Sequence, residues 1–325
     1  MPNYLDIKVP KGSAFKIQTD KSFVKLHQLL CCVGRRGSGK TTIVVNFLRM
    51  MKEQGCLDRL ILITPTYESN KSNFQGLPVD ENNIINPDDP NAVQQIRDIV
   101  DAERDLLDEY YAKLDRYNEL MKQIKSRRPI EEIDEFLLEE FGEEMEKPKH
   151  YLDGRKPVIA CFIDDALGTR IYGNKSGLSN LVILHRHLGV SKALGSALGI
   201  TMIFATQSYK SNVYGISPTI RNNCTCIAIF KTKSDKELQG IAEEVAGFCT
   251  KEEFMDVYEQ AMTECGCGCD AEPSGERKAE HNVLFIDTSP HEGNSHFRKN
   301  MNTMLYPRVK DINVDKKQEV VDKKT

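Results

Sequence analysis

The octapeptide Gly34-Arg35-Arg36-Gly37-Ser38-Gly39-Lys40-Thr41 limits what this chain can fold into more than any other stretch. It fits G-x-x-x-x-G-K-[ST], with the apolar run LLCCVG before it and the amphipathic run TTIVVNFLRMM after it, so a strand, a glycine turn and a helix follow without a gap. Glycines let backbone N–H groups turn inward, and the start of a helix adds unpaired donors and a dipole that favours an anion. The segment Gly34, Arg35, Arg36, Gly37, Ser38, Gly39, Lys40, Thr41 and Thr42 is therefore expected to cradle phosphates. Lys40 should reach the β- and γ-phosphates, and Thr41 should offer its hydroxyl to Mg²⁺.

Five short apolar runs rich in β-branched residues recur along the chain: 29–34, 59–65 (RLILITP), 158–166 (VIACFIDDA), 201–207 (TMIFATQ) and 224–231 (CTCIAIFK). They lack an apolar/polar alternation, as strands do when a parallel sheet is covered on both faces. Helical patterns follow the first run (41–54) and the fifth (235–247), and the expected architecture is an α/β, mostly parallel sheet with helices on both faces. A further run, 281–289, is expected to add a strand at the edge, and the charged tail 308–325 is expected to be disordered.

A long insertion separates the second and third runs. Val93, Ile96, Val100, Leu107, Tyr110, Leu114, Tyr117, Met121 and Ile124 follow a 3-4 spacing broken only at Glu103. After Pro129 a second pattern runs through Ile130, Ile133, Leu137, Phe141 and Met145. The expectation is an antiparallel, coiled-coil-like helical hairpin over 91–146, inserted between core segments 1–90 and 147–307. It is read either as a docking arm for a partner or as a decoration burying only its own seam, the second being favoured.

The third run ends in Asp164-Asp165, where a strand beside a phosphate cradle should deliver its acids. Asp164 is expected to hold the magnesium through water, and Asp165 to orient or deprotonate the attacking water. Thr206-Gln207 ends the fourth run, and Gln207 is expected to sense the γ-phosphate and that water. The guanine-reading N-K-x-D is absent, since Asn70-Lys71-Ser72-Asn73 and Asn174-Lys175-Ser176-Gly177 lack the acid, which favours ATP.

In this order GRRGSGKTT, FIDDA, the Arg186-His187 pair in ILHRHLGVS, IFATQS and TIRNNCTCIAIFK resemble the additional-strand P-loop ATPases of the FtsK/HerA superfamily, and more closely the poxvirus-type genome-packaging ATPases of large DNA viruses. The resemblance spans roughly residues 15 to 250 without the insertion. It implies a multimeric ring that threads double-stranded DNA into a capsid by ATP hydrolysis at subunit boundaries, in a host cytoplasm or a virion. It also implies an arginine acting across the boundary, Arg186 ranking ahead of Arg221, each alternatively a surface salt-bridge residue and Arg221 alternatively a phosphate contact. Many members carry Glu at the position of Asp165, and the hairpin has no counterpart among them.

Charge and cysteine usage frame these expectations. Residues 80–147 hold 21 acidic against 9 basic residues, a local net of −12 that leaves +8 for the remainder. A mildly basic body suits a nucleic-acid backbone or an ordinary surface. Arg170, Lys175, Lys192 and Lys210, in loops expected at the sheet edge that carries the nucleotide, are read equally as contacts to DNA phosphates or as solvent-facing residues. No run approaches the roughly 18 apolar residues of a membrane span, so the chain is expected to be soluble and not exported. Cys31, Cys32, Cys161, Cys224 and Cys226 lie in apolar runs and are expected to act as small hydrophobes in a reducing compartment. Cys265, Cys267 and Cys269 alternate rather than following C-x2-C, which suits a glycine-rich loop better than a zinc site. The rivals are an ATP-bound switch that recruits a partner through the hairpin, and a helicase-type ATPase.

Overall fold

The computed structural model describes residues 20, 23–126, 135–141, 146–173, 175–210, 216–263 and 282–308. Expectations for Arg127 to Asp134, Met145, Asn174, Cys265, Cys267, Cys269, His281 and the tail from 309 onward lie outside them. The first strand β1 (Leu29–Val33) runs through the glycine turn into α1 (Lys40–Glu53), and then come β2 (Arg59–Ile63), the single turn α2 (Tyr67–Asn70), and β3 (Val79–Ile85). Two helices follow, α3 (Ala92–Lys125) and α4 (Glu135–Phe141), before β4 (Ile159–Asp164) and α5 (Leu178–Leu184). A two-stranded hairpin of β5 (Val190–Ser191) and β6 (Ser196–Ala197) leads into β7 (Ile200–Thr206). The remainder is α6 (Pro218–Asn223), β8 (Cys226–Phe230), α7 (Asp235–Glu244), α8 (Lys251–Met262), β9 (Val283–Asp287), β10 (Phe297–Lys299) and β11 (Thr303–Leu305).

Nine strands form one sheet in the order β11-β10-β9-β8-β1-β7-β4-β2-β3. The six from β8 to β3 are parallel, while β9, β10 and β11 continue the sheet antiparallel. All five runs expected as strands are strands. Successive residues serve opposite faces: Leu29, Cys31 and Val33 join one buried cluster with α3 and α5 to α8, and Leu30 and Cys32 join the other with α1. Two covered faces account for the missing polar alternation. The strand expected at the edge, β9, has β10 and β11 outside it, and the opposite edge belongs to β3.

Asp58 sets the start of β2 against that of β4. Its carboxylate accepts from Arg155 at 2.6 and 2.9 Å and from the Val158 N–H at 2.7 Å. One carboxylate thus satisfies both chains where the parallel pair begins.

The expected self-contained hairpin is corrected for its first half. Val93, Ile96, Val100 and Leu107 of α3 belong to the cluster beneath the sheet, so these turns form the crossover that covers one face. Glu103, the break in the apolar spacing, is buried at 1% exposure and pairs with Arg59 at 2.8 Å while accepting from the Tyr151 hydroxyl. A carboxylate inside a helix–sheet contact persists only when such partners meet it. In the second half of α3 the helix does meet α4, through Tyr117 on Phe141 and Arg116 on Glu140 at 2.7 Å. Among the described residues no helix is long and apolar enough to cross a membrane.

Candidate active site

Carbonyl ends of β1, β4 and β7 meet at one edge of the sheet, and every residue expected at the phosphates comes from there. The cradle is tied to β7 by the Gly34 N–H donating to the Thr206 carbonyl at 3.1 Å. A Cβ on Gly34 would fall 2.5 Å from the Ser38 hydroxyl and 2.9 Å from the Phe230 ring, so only glycine leaves this bend open. Gly37 and Gly39 have φ of 73° and 89°, the left-handed region that turns N–H groups inward.

Lys40 is nearly buried, and its ammonium donates to the carbonyls of Gly34 at 2.8 Å and Arg35 at 3.2 Å. Thr41 donates its hydroxyl to the Asp164 carboxylate at 2.8 Å. Burial raises the Asp164 carboxyl above its usual range, the Thr41 hydrogen bond opposes this, and neighbouring Asp165 adds to it. Among the described residues the buried Ser38 hydroxyl meets no hydrogen-bond partner. A buried hydroxyl without a partner, beside a lysine resting on backbone carbonyls, suits a cradle built for a phosphate chain. The hydroxyl and carboxylate of Thr41 and Asp164 are the hard oxygen donors Mg²⁺ takes. Among the described residues no group of three or more His, Cys, Asp or Glu side chains is placed to hold a metal ion. Arg35, Arg36 and Thr42 stand exposed around the cradle.

Asp165 leaves the strand with φ of 49°, so the two acids part: Asp164 is buried and Asp165 exposed. Gln207 donates to Asp165 at 3.2 Å across the tip of the sheet. The chain just beyond Gln207 is clasped by Glu237 of α7, which accepts from the Ser208 hydroxyl at 3.0 Å and the Tyr209 N–H at 2.7 Å, and from Thr232 at 3.3 Å. Sequence reasoning missed Glu237; its place in the first turn of α7, three residues after Ser234, marked it only as a helix-start acid.

The arginines separate. Arg186 lies in a 3-10 turn, His185–His187, whose backbone adjoins Gly199 at the start of β7. Its exposed side chain lines a cavity of about 310 Å³ with Lys25, His27, Gln28 and Asp287. That is the edge where the parallel strands begin, remote from the cradle. Arg221 instead spends its donors within the chain, on the Ile216 carbonyl at 2.6 Å and Glu244 at 3.2 Å, with its guanidinium over the Tyr209 ring. That is the salt-bridge alternative.

Of the expected DNA contacts, Lys210 is paired within the chain and Lys192 is corrected in its place. Lys210 pairs with Glu244 at 3.3 Å and Glu243 at 3.7 Å. Lys192 sits in the β5–β6 hairpin, held by Asp108 of α3, at the strand-start edge rather than the nucleotide edge. Arg170 and Lys175 are exposed in the segment that follows β4.

No protein-family model matches the chain, and no curated protein matches it in sequence. Solved structures resemble it distantly. The genome packaging NTPase B204 from Sulfolobus turreted icosahedral virus 2 is 11% identical over 86% of this chain and 98% of its own, with a TM-score of 0.40. ATPases 2 and 3 of EssC from Geobacillus thermodenitrificans are 13% identical over 91% of this chain but 42% of theirs, with a TM-score of 0.40. The pCW3 conjugation coupling protein TcpA is 14% identical over 93% of this chain and 67% of its own, with a TM-score of 0.35. At these identities and scores the class follows from the chain's own strand order and site. The chain has an α/β fold of the P-loop NTPase type, a mostly parallel sheet in which β7 separates the cradle strand from the acid-bearing strand.

Proposed function

We propose that the chain hydrolyses ATP with Mg²⁺ and couples hydrolysis to moving double-stranded DNA into a viral capsid. The observation that carries the hydrolytic half is the Gln207–Asp165 hydrogen bond beside the cradle, which sets an exposed carboxylate where water can reach it. Bound Mg²⁺ would neutralise developing charge on the phosphate oxygens, held by Thr41 and, through water, by Asp164. Lys40 exchanges its two carbonyl partners for phosphate oxygens. Asp165 accepts the proton of the attacking water, and Gln207 holds that carboxylate in place while facing the γ-phosphate. Through Ser208, Tyr209 and Glu237, any shift of Gln207 passes into α7, so the nucleotide state can be felt away from the phosphates.

The DNA-moving half rests on the ordered motifs, including Arg186-His187 ahead of the β7 strand that ends in Thr206-Gln207. In this reading copies of the chain form a ring, and Arg186, exposed at the edge opposite its own cradle, reaches the site of the neighbouring copy. Arg170 and Lys175 remain the candidate phosphate contacts. The test is the steady-state ATPase rate with and without linear duplex DNA. A several-fold rise that falls away with added salt is expected of a motor contacting phosphates. A rate indifferent to DNA sinks the motor and leaves the ATP-bound switch.

A further inference from the structure

We infer that Cys31 and Cys224 form a site of reversible thiol oxidation, at which a hydroperoxide links α6 to the strand that carries the phosphate cradle. Their sulfurs lie 2.8 Å apart although 193 positions separate them in the chain. That is closer than unbonded sulfurs rest, and within about 0.8 Å of a disulfide bond length. The geometry around the pair is firmly held. Cys31 is in the middle of β1, whose strand pairing with β7 and β8 fixes its direction. Cys224 caps α6, its N–H donating to the Arg221 carbonyl at 3.0 Å and its thiol to the Ile220 carbonyl at 3.3 Å. The next residue is bound to β1 twice, since Leu29 donates to the Thr225 hydroxyl at 2.9 Å and Thr225 donates to the Leu29 carbonyl at 3.0 Å. Neither thiol therefore has to travel.

The two cysteines differ in access. Cys31 is fully buried, and burial together with the Cys224 thiol beside it raises its pKa well above the ordinary value. Cys224 is half-buried, so it is the one that meets the oxidant. Its thiolate attacks one oxygen of hydrogen peroxide, the O–O bond breaks, and the departing hydroxide takes up the thiol's proton as water. The Cys31 sulfur then attacks the Cys224 sulfenic acid. The S–S bond forms as the S–O bond breaks, and the second oxygen leaves as water with the Cys31 proton. Two thiols are oxidised to one disulfide, and one peroxide is reduced to two waters.

The bond would tie to β1 the helix whose Arg221 holds the Ile216 carbonyl and Glu244. Cys32, one position after Cys31, and Cys226, two after Cys224, belong to the cluster on the opposite face of the sheet and serve as controls.

The test treats the full chain with hydrogen peroxide, caps remaining thiols with N-ethylmaleimide, digests it, and analyses the peptides by mass spectrometry. A Cys31–Cys224 linked peptide is expected that disappears after dithiothreitol. It should be lost in Cys224→Ser and kept in Cys32→Ser and Cys226→Ser. A peroxide-dependent link from Cys31 to a cysteine other than Cys224 in the unmodified chain overturns the assignment. So does Cys224 advancing to sulfinic acid unlinked, or both thiols staying reduced.

Discussion

The two edges of the parallel sheet make opposite use of charge. At the carbonyl edge, Lys40, Asp164, Asp165 and Gln207 are bonded to the cradle or to one another, an arrangement set before any phosphate arrives. At the strand-start edge Arg186 is exposed, with no bond to its side chain among the described residues, and it lies beside His27 and His185, whose pKa values burial drives down. One edge has its charged and amide groups already engaged with one another. The other carries a cation that its own site cannot reach. Under the proposed function, the two ends of one strand would serve two different active sites when copies of the chain meet.

The sharpest way to break this contrast is Arg186→Ala. If Arg186 acts on a neighbour, the variant folds and binds ATP normally but loses about 10³- to 10⁵-fold in turnover. Mixing it with Asp165→Asn subunits should restore ATPase activity absent from either alone, because one interface then joins an intact finger to an intact base. Mixed assemblies without recovery would remove Arg186 from catalysis.

Within one site, Asp165→Asn should lower kcat by about 10²- to 10⁴-fold and leave ATP affinity unchanged, as loss of a general base does. Equal turnover by the Asn variant would transfer the base role away from the carbonyl edge's exposed acid.

The smallest effect belongs to the strand-start edge and is read as stability. Burial first, then the positive charge of His185, Arg186 and Lys156, holds the His27 pKa down to about 4 from its ordinary 6.5. The unfolded chain takes up this proton near 6.5 and the folded chain only near 4. Stability is therefore complete above that range and is lost as pH falls through it, by up to roughly 3 kcal/mol for one such group. His27→Asn, which tolerates the positive φ of 59° there, should flatten urea-melt midpoints between pH 7 and pH 4.5 (both about). His185 and His150, also lowered by burial, keep part of the slope. An unchanged slope would show that His27 is not the group responsible.

How far the sequence could be read follows from what each signal measures. The cradle and the acid pair were legible because the chemistry demands those residue types in a fixed local order, and the five strands because buried runs are continuous. Periodicity in α3 revealed an apolar stripe but not what it meets, so core-facing Val93 to Leu107 and the outlying turns looked alike; Glu103 reads as a defect until Arg59 is seen beside it. β3 was missed because VDENNII is an edge strand with exposed polar residues, and β10 because its three residues centre on buried Arg298. Lys192 was placed at the wrong edge because the β5–β6 turn went unrecognised. Gly189, Gly195 and Gly199, all at positive φ, were the available signal. The partners of Lys210 come from α7, some thirty residues onward, and no local pattern reports them.

The length of α3 has a mechanical consequence. Its 34 residues make a rod of about 51 Å with no glycine or proline along it, and hence no built-in point of bending. The near turns are set into the body of the sheet, and the Glu103–Arg59 pair pins the rod about a third of the way along, at the first residue of β2. β2 lies beside β4, the strand that delivers Asp164 and Asp165. A sideways load on the far turns is therefore not absorbed by a joint: it arrives as torque on the strands that position the acids, with the buried ion pair as its fulcrum.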